Sequence, residues 1–167
     1  MYSLKYYSVT EENKQLFHNL MKSYSKELDE HQNRTTDEKM LAGWTDRIIA
    51  KQYDDGRCLK LCCKDDKAIG FLYGKIDRPE DKGFKKVGYG YVMEFFVLPE
   101  YRRKGYGKEM YSFLEKYFTD NNVHNIYLTA DPVTGKPFWK ALGFNENGEI
   151  SPENNLPVYE KHLTKSE

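Results

Sequence analysis

Several familiar signals are missing from this sequence, and each absence closes a class of function. It has only three cysteines, Cys58, Cys62 and Cys63, all on the run CLKLCCK and in no CxxC spacing. An odd count without that spacing argues against a disulfide framework or a thiolate metal site, and it reads as reduced core thiols. The four histidines, His18, His31, His124 and His162, are scattered with no HExxH or paired spacing, so no metal centre is expected. No segment reaches the roughly 20 apolar residues of a membrane span, and no N-terminal run resembles a signal peptide. The cytoplasm is the expected location. Excess charge is also missing. Twenty-six basic residues cancel 26 acidic ones, so there is no global footprint for nucleic acid or a membrane surface, and any basic site must be local. Repeats, linkers and low-complexity segments are absent.

What remains is 167 residues, 39% hydrophobic and 31% charged, with 14 tyrosines. That is enough chain to bury a core without staples. Residues 2–9 read as a strand. Thr10 is placed to cap a helix whose apolar face is Leu16, Phe17, Leu20, Met21, Tyr24 and Leu28. A second helix is expected from a capping box of Thr35 with Glu38, with Met40, Leu41, Trp44, Ile48 and Ile49 on its apolar face. CLKLCCK and KAIGFLYGKI read as a hairpin about Asp65-Asp66. VGYGYVMEFFVL reads as a long strand that Pro99 ends, with Gly88 and Gly90 marking a bulge or a close backbone approach. Met110, Phe113, Leu114, Tyr117 and Phe118 follow helical spacing. The strand HNIYLTA, a short helix in TGKPFWKALGF and two strands, FNENGEI and LPVYEKHL, complete the order β-α-α-β-β-β-α-β-α-β-β. This is one mixed α/β (α+β) domain over residues 1–167, with a central sheet of about six or seven strands and about four helices.

Chemistry concentrates in LPEYRRKGYGKEMY. A helix N-terminus presents unpaired backbone N–H groups and a partial positive charge, and glycines let a phosphate come close. Gly105 and Gly107 flank Tyr106 at such a start, with Arg102, Arg103 and Lys104 before them and Lys108 after. The stretch reads as an anion cradle suited to a pyrophosphate. It lacks the GxxxxGK pattern of a P-loop, and it lacks the third glycine and acidic ribose ligand of a dinucleotide fold.

Val97, Pro99, Arg102, Gly105 and Gly107 spell V-x-P-x-x-R-x-x-G-x-G, which resembles motif A of the GNAT superfamily of acyl-CoA-dependent N-acetyltransferases. FWKALGF, 138–144, resembles motif B. The resemblance implies a GNAT-like fold with acetyl-CoA as co-substrate. Its pantetheine arm would lie along Phe96, Val97 and Leu98. Its pyrophosphate would sit on the backbone of Arg103 to Lys108, helped by the nearby side chains. Transfer to a primary amine of a small molecule or peptide is implied, with a homodimer possible. Glu94, a carboxylate in an apolar strand, matches the acidic base of some members; the alternative is a strand residue facing solvent or in an ion pair. A strand N–H near Val97 or Leu98 is the expected oxyanion donor. Trp139 stands where many members carry a tyrosine that protonates the leaving thiolate. Indole is no practical acid, and Trp139 either packs on the cofactor arm or fills the core; Tyr106 is a substitute by sequence proximity. Asp131 is nearest to an asparagine that touches pantetheine, or it makes a turn. Lys136 and Lys140 meet phosphate or solvent.

In KELDEHQNRTTDE, five carboxylates face Lys26 and Arg34. They form either an acidic rim for a cationic acceptor or a solvated helix end. A non-catalytic acyl-CoA module and a nucleotide-phosphate enzyme remain as rival readings.

Overall fold

A computed structural model describes residues 4–133 and 135–164. The chain runs β1 (Lys5–Tyr7), α1 (Lys14–Gln32), α2 (Glu38–Lys51), β2 (Arg57–Lys64), β3 (Lys67–Ile76), β4 (Gly90–Val97), α3 (Tyr106–Asp120), β5 (Asn125–Thr129), α4 (Lys136–Ala141), β6 (Asn145–Ile150) and β7 (Pro157–His162). This is the expected order, with one addition, a 3-10 turn at Pro99–Tyr101. The seven strands lie in the order β1-β2-β3-β4-β5-β7-β6. β4 and β5 are parallel, while β1–β2, β5–β7 and β6–β7 are antiparallel, so the sheet is mixed. The first residues of the strand expected over 2–9, and Thr134 at the head of the last helix, lie outside the described residues.

Both helix starts differ from expectation, for reasons visible in their hydrogen bonds. α1 is entered through Asn13, whose Oδ1 accepts the Thr10 N–H at 2.7 Å, so Thr10 is held outside the helix. α2 is capped by Asp37, which accepts the Met40 N–H at 2.8 Å. The Thr35–Glu38 box does not form, because Asp29 holds Thr36 in the loop through its N–H at 2.9 Å and its hydroxyl at 2.8 Å. The strand expected from Val87 begins at Gly90. Gly88 takes φ +84°, which makes a turn there. Gly90 is the close approach: an added Cβ would lie 2.8 Å from the Phe118 ring. Two residues assigned to apolar helix faces are exposed, Leu16 at 45% and Met40 at 57%.

The chain divides into two compact units, Met1–Tyr73 with Glu94–Leu114, and Gly74–Met93 with Glu115–Glu167. In the first, Phe17, Leu20 and Met21 of α1 are buried, and Phe17 meets Phe71 of β3 edge-on at 5.2 Å. Tyr6 of β1 stacks on Phe113 of α3 at 4.1 Å. In the second, Tyr127 of β5 stacks on Tyr91 at 4.6 Å, and its hydroxyl donates to the buried Asp77. Phe118, Phe144 and Tyr159 are fully enclosed there.

Candidate active site

The site is built from the end of β4 and the turn after it. Leu98 donates its N–H to the Ile69 carbonyl of β3 at 2.8 Å. Gly70 lets the two strands close up, since a Cβ there would fall 2.2 Å from the Phe96 carbonyl oxygen. Successive N–H groups of a strand point to opposite sides. The expected Leu98 oxyanion donor is therefore already engaged by β3, and the Val97 N–H is the one directed away from it.

Arg102 was expected near phosphate, but its hydrogen bonds go elsewhere. Nε donates to the Val97 carbonyl at 2.8 Å, and Nη2 donates to both oxygens of Glu27 at 2.7 and 3.0 Å. Its guanidinium lies 5.6 Å from the Phe96 ring centre. Arg102 thus ties the end of β4 to α1.

The turn itself reverses the chain within a few residues. Arg103 takes φ 61° and Gly105 φ 89°, both left-handed, which turns the chain into the start of α3. The N–H groups of the first helical turn have no i−4 carbonyl within their own helix. Arg103, Lys104 and Lys108 are exposed and, among the described residues, make no ion pair. Tyr106 faces inward: it is 7% exposed, and its hydroxyl is hydrogen-bonded to Lys64. That bond turns the hydroxyl toward the end of β2.

Glu94 shares a face of β4 with Phe96. Phe96 is 3% exposed and packs on Tyr24 at 5.3 Å between ring centres. Glu94 is half-buried, and its Oε2 is wholly enclosed without a hydrogen-bond partner. Burial pushes its carboxyl up from 4.5 to about 7, against a hydrogen bond from Tyr24 and the positive field of Arg34. No ion pair involves Glu94 among the described residues.

The remaining expected residues lie in the second unit. Trp139 is 8% exposed and meets Phe144 at 5.5 Å and Phe138 at 4.8 Å, which is the packing of a core residue. Asp131 makes a turn: its carbonyl accepts from Gly135 and Lys136, and its Oδ1 accepts from Val133 at 3.3 Å. Lys136 pairs with Glu146 at 2.9 Å.

Sequence reasoning missed an open cleft of about 480 Å³ lined by Arg34, Thr36, Lys39, Met40, Gly43, Trp44 and Arg47. The stretch KELDEHQNRTTDE was open to two readings, an acidic rim or a solvated helix end, and three of its five carboxylates have partners. Glu27 binds Arg102, Asp29 binds Arg34 at 2.9 Å, and Asp37 caps α2. The available signal was the spacing of Lys39, Gly43 and Arg47 at i, i+4 and i+8, one stripe of a helix.

The model of the acetyltransferase (GNAT) family matches residues 14–144. No curated protein is similar enough in sequence to count as a relative. Solved structures share the fold at low identity. The PaiA N-acetyltransferase of Thermoplasma acidophilum, in complex with coenzyme A, is 16% identical with a TM-score of 0.73, over 97% of this chain and 100% of its own. A GNAT-family acetyltransferase of Staphylococcus aureus Mu50 is 15% identical with a TM-score of 0.74, over 97% and 100%. The aminoglycoside acetyltransferase AAC(6')-Iy, in complex with the bisubstrate analogue CoA-S-monomethyl-acetylneamine, is 16% identical with a TM-score of 0.67, over 89% and 95%. With its family model matched over most of its length, the chain belongs to the GNAT acetyltransferase family.

Proposed function

We propose that this GNAT-family chain takes acetyl-CoA as co-substrate and transfers the acetyl group to a primary amine of a small molecule or peptide, by direct attack in a ternary complex. The observation that carries the reading is Glu94, a carboxyl poised near neutrality on the strand that leads into the anion cradle. An ordinary lysine-like amine has a pKa of roughly 10.4, so only about one molecule in a thousand is neutral near pH 7. Glu94 accepts the amine proton, directly or through water, and frees the lone pair to attack the thioester carbon. The Val97 N–H, on the side of β4 turned from β3, is the donor available to the oxygen that gains charge. The carbon–sulfur bond then breaks, and coenzyme A leaves as its thiolate. A thiol pKa of roughly 8.5 makes this tolerable without a tyrosine acid. Arg103, Lys104, Lys108 and the first turn of α3 hold the pyrophosphate. Arg102 keeps the end of β4 in place.

A bisubstrate analogue joining coenzyme A to an acceptor, bound to a protein of this fold, supports direct attack over a covalent relay. Thermal unfolding with acetyl-CoA, ATP and NAD tests the co-substrate. A ligand at about a hundred times its Kd stabilises by roughly 2.7 kcal/mol. A response to acetyl-CoA alone, followed by free-thiol release with an amine, sustains the proposal, and a response to a nucleotide instead overturns it. Trp139, at the usual tyrosine position, favours a second reading, a non-catalytic acyl-CoA module. That reading requires binding with no thiol release from any amine.

A further inference from the structure

The cleft on the exposed stripe of α2 has features that packing does not explain. Gly43 sits in the interior of α2, where glycine weakens a helix. It is not there for backbone reasons, since it is absent from the positive-φ glycines. Nor does crowding require it: an added Cβ would meet only the Arg47 guanidinium, at 3.4 Å. Its missing side chain leaves a gap between Lys39 and Arg47, one helical turn to either side. Both are exposed, and neither forms an ion pair among the described residues. Of the nearby carboxylates, Asp37 caps the helix, Asp46 lies 3.6 Å from His18, and Glu38 is exposed at the first turn and does not line the cleft. Arg34 at the rim is already balanced by Asp29. The cleft therefore carries two unbalanced positive charges, with apolar walls from Met40 and Trp44.

A chain of contacts links this cleft to the base. The Trp44 ring lies 6.0 Å from that of Tyr24, and Tyr24 hydrogen-bonds the Glu94 carboxylate. A molecule seated against Trp44 is thus separated from Glu94 by Trp44 and Tyr24 in turn. Arg34, on the rim, also bears electrostatically on Glu94.

We infer that this cleft anchors the acceptor, and that the acceptor is a small amine which itself carries a carboxylate or a phosphate, held by Lys39 and Arg47 over Gly43. The inference rests on the acetyl-transfer reading for its meaning but not for its test. It runs against a polyamine or aminoglycoside acceptor, whose extra ammonium groups the same two cations repel. An anion beside Arg34 would also offset the field that holds the Glu94 carboxyl down, so a correctly charged acceptor strengthens its own base.

Four small primary amines test this: 4-aminobutyrate, 2-aminoethyl phosphate, ethanolamine and putrescine. They are compared by thiol release with acetyl-CoA and by calorimetric binding to the full chain with coenzyme A present. The wild type is expected to favour one or both anionic amines over putrescine by at least about tenfold in kcat/KM, and which of the two leads separates carboxylate from phosphate. The double variant Lys39→Glu with Arg47→Glu, both at exposed positions, should erase or reverse that order while leaving the KM for acetyl-CoA unchanged. Equal use of all four amines, a preference for putrescine, or an anion preference that survives the double variant overturns the inference. If no amine turns over, calorimetry still decides. Anion-selective binding lost in the double variant sustains the cleft assignment and sinks the transfer reading, whereas binding without anion preference sinks the cleft.

Discussion

Replacing Glu94 by glutamine should make the protein more stable at alkaline pH while abolishing its chemistry. The carboxyl rises from 4.5 to about 7 because burial disfavours its charge. A carboxyl with a raised folded-state pKa binds more protons folded than unfolded between those two values. Its contribution is therefore most favourable below pH 4.5 and is lost as pH climbs through about 7. The full difference corresponds to about 3 kcal/mol. Glu94 is only half-buried, so about 2 kcal/mol is the working figure. Glutamine cannot ionise and escapes this loss. It leaves an amide where Oε2 now sits unpartnered, a pH-independent cost of about 1 kcal/mol. Urea denaturation of both proteins at pH 5 and pH 8 separates the two effects. The stability difference, variant minus wild type, should rise by about 2 kcal/mol between these pH values, or roughly 4–8 °C in Tm. Thiol release should fall by at least about a hundredfold, and the wild-type rate should climb with pH to a plateau above about 7. A stability difference that stays level with pH would show that Glu94 is not the buried, perturbed group described, and the base assignment would fall with it. A level difference in activity alone would leave the burial intact and remove only the catalytic role.

Gly43→Ala should stabilise the chain by about 1 kcal/mol, because the added methyl meets only the tip of Arg47 at 3.4 Å; a fall in Tm would mean that the neighbour cannot give way. The three cysteines should stay silent toward a chromogenic thiol reagent until the protein is unfolded. All are buried, and burial raises their thiol pKa values, that of Cys58 to about 11. Rapid labelling of the native protein would contradict this and would also compromise the thiol-release assay.

Most of the architecture was legible because it follows from pattern. The order of elements came from the 3.6- and 2-residue periods, and the turn from β4 into α3 from two glycines at a strand-to-helix junction. The reading failed where a side chain chose a partner distant in sequence. Thr35 looked like a cap, but Asp29 holds its neighbour Thr36 and moves the helix start to Glu38. Arg102 looked like a phosphate ligand, but Glu27, 75 residues away, takes its guanidinium. Leu98 looked like an oxyanion donor until β3 was seen to occupy its N–H.

The acceptor cleft was harder to read for a related reason, since its character is a residue of pairing rather than of composition. KELDEHQNRTTDE is acidic as a string. In the fold, Arg102, Arg34 and the start of α2 each engage one of its carboxylates. Glu30 and Glu38 form no ion pair among the described residues, and neither do Lys39 and Arg47, the two cations that line the cleft. Local charge in a string predicts local field only when the charges answer one another nearby, and here the acidic segment answers partners on its own side of the fold. The sign of the acceptor site thus depends on Asp29 and Glu27 staying engaged. Freeing either carboxylate by removing its arginine would add negative charge on that side of the fold and shift preference toward cationic amines, even though no residue of the α2 stripe had changed.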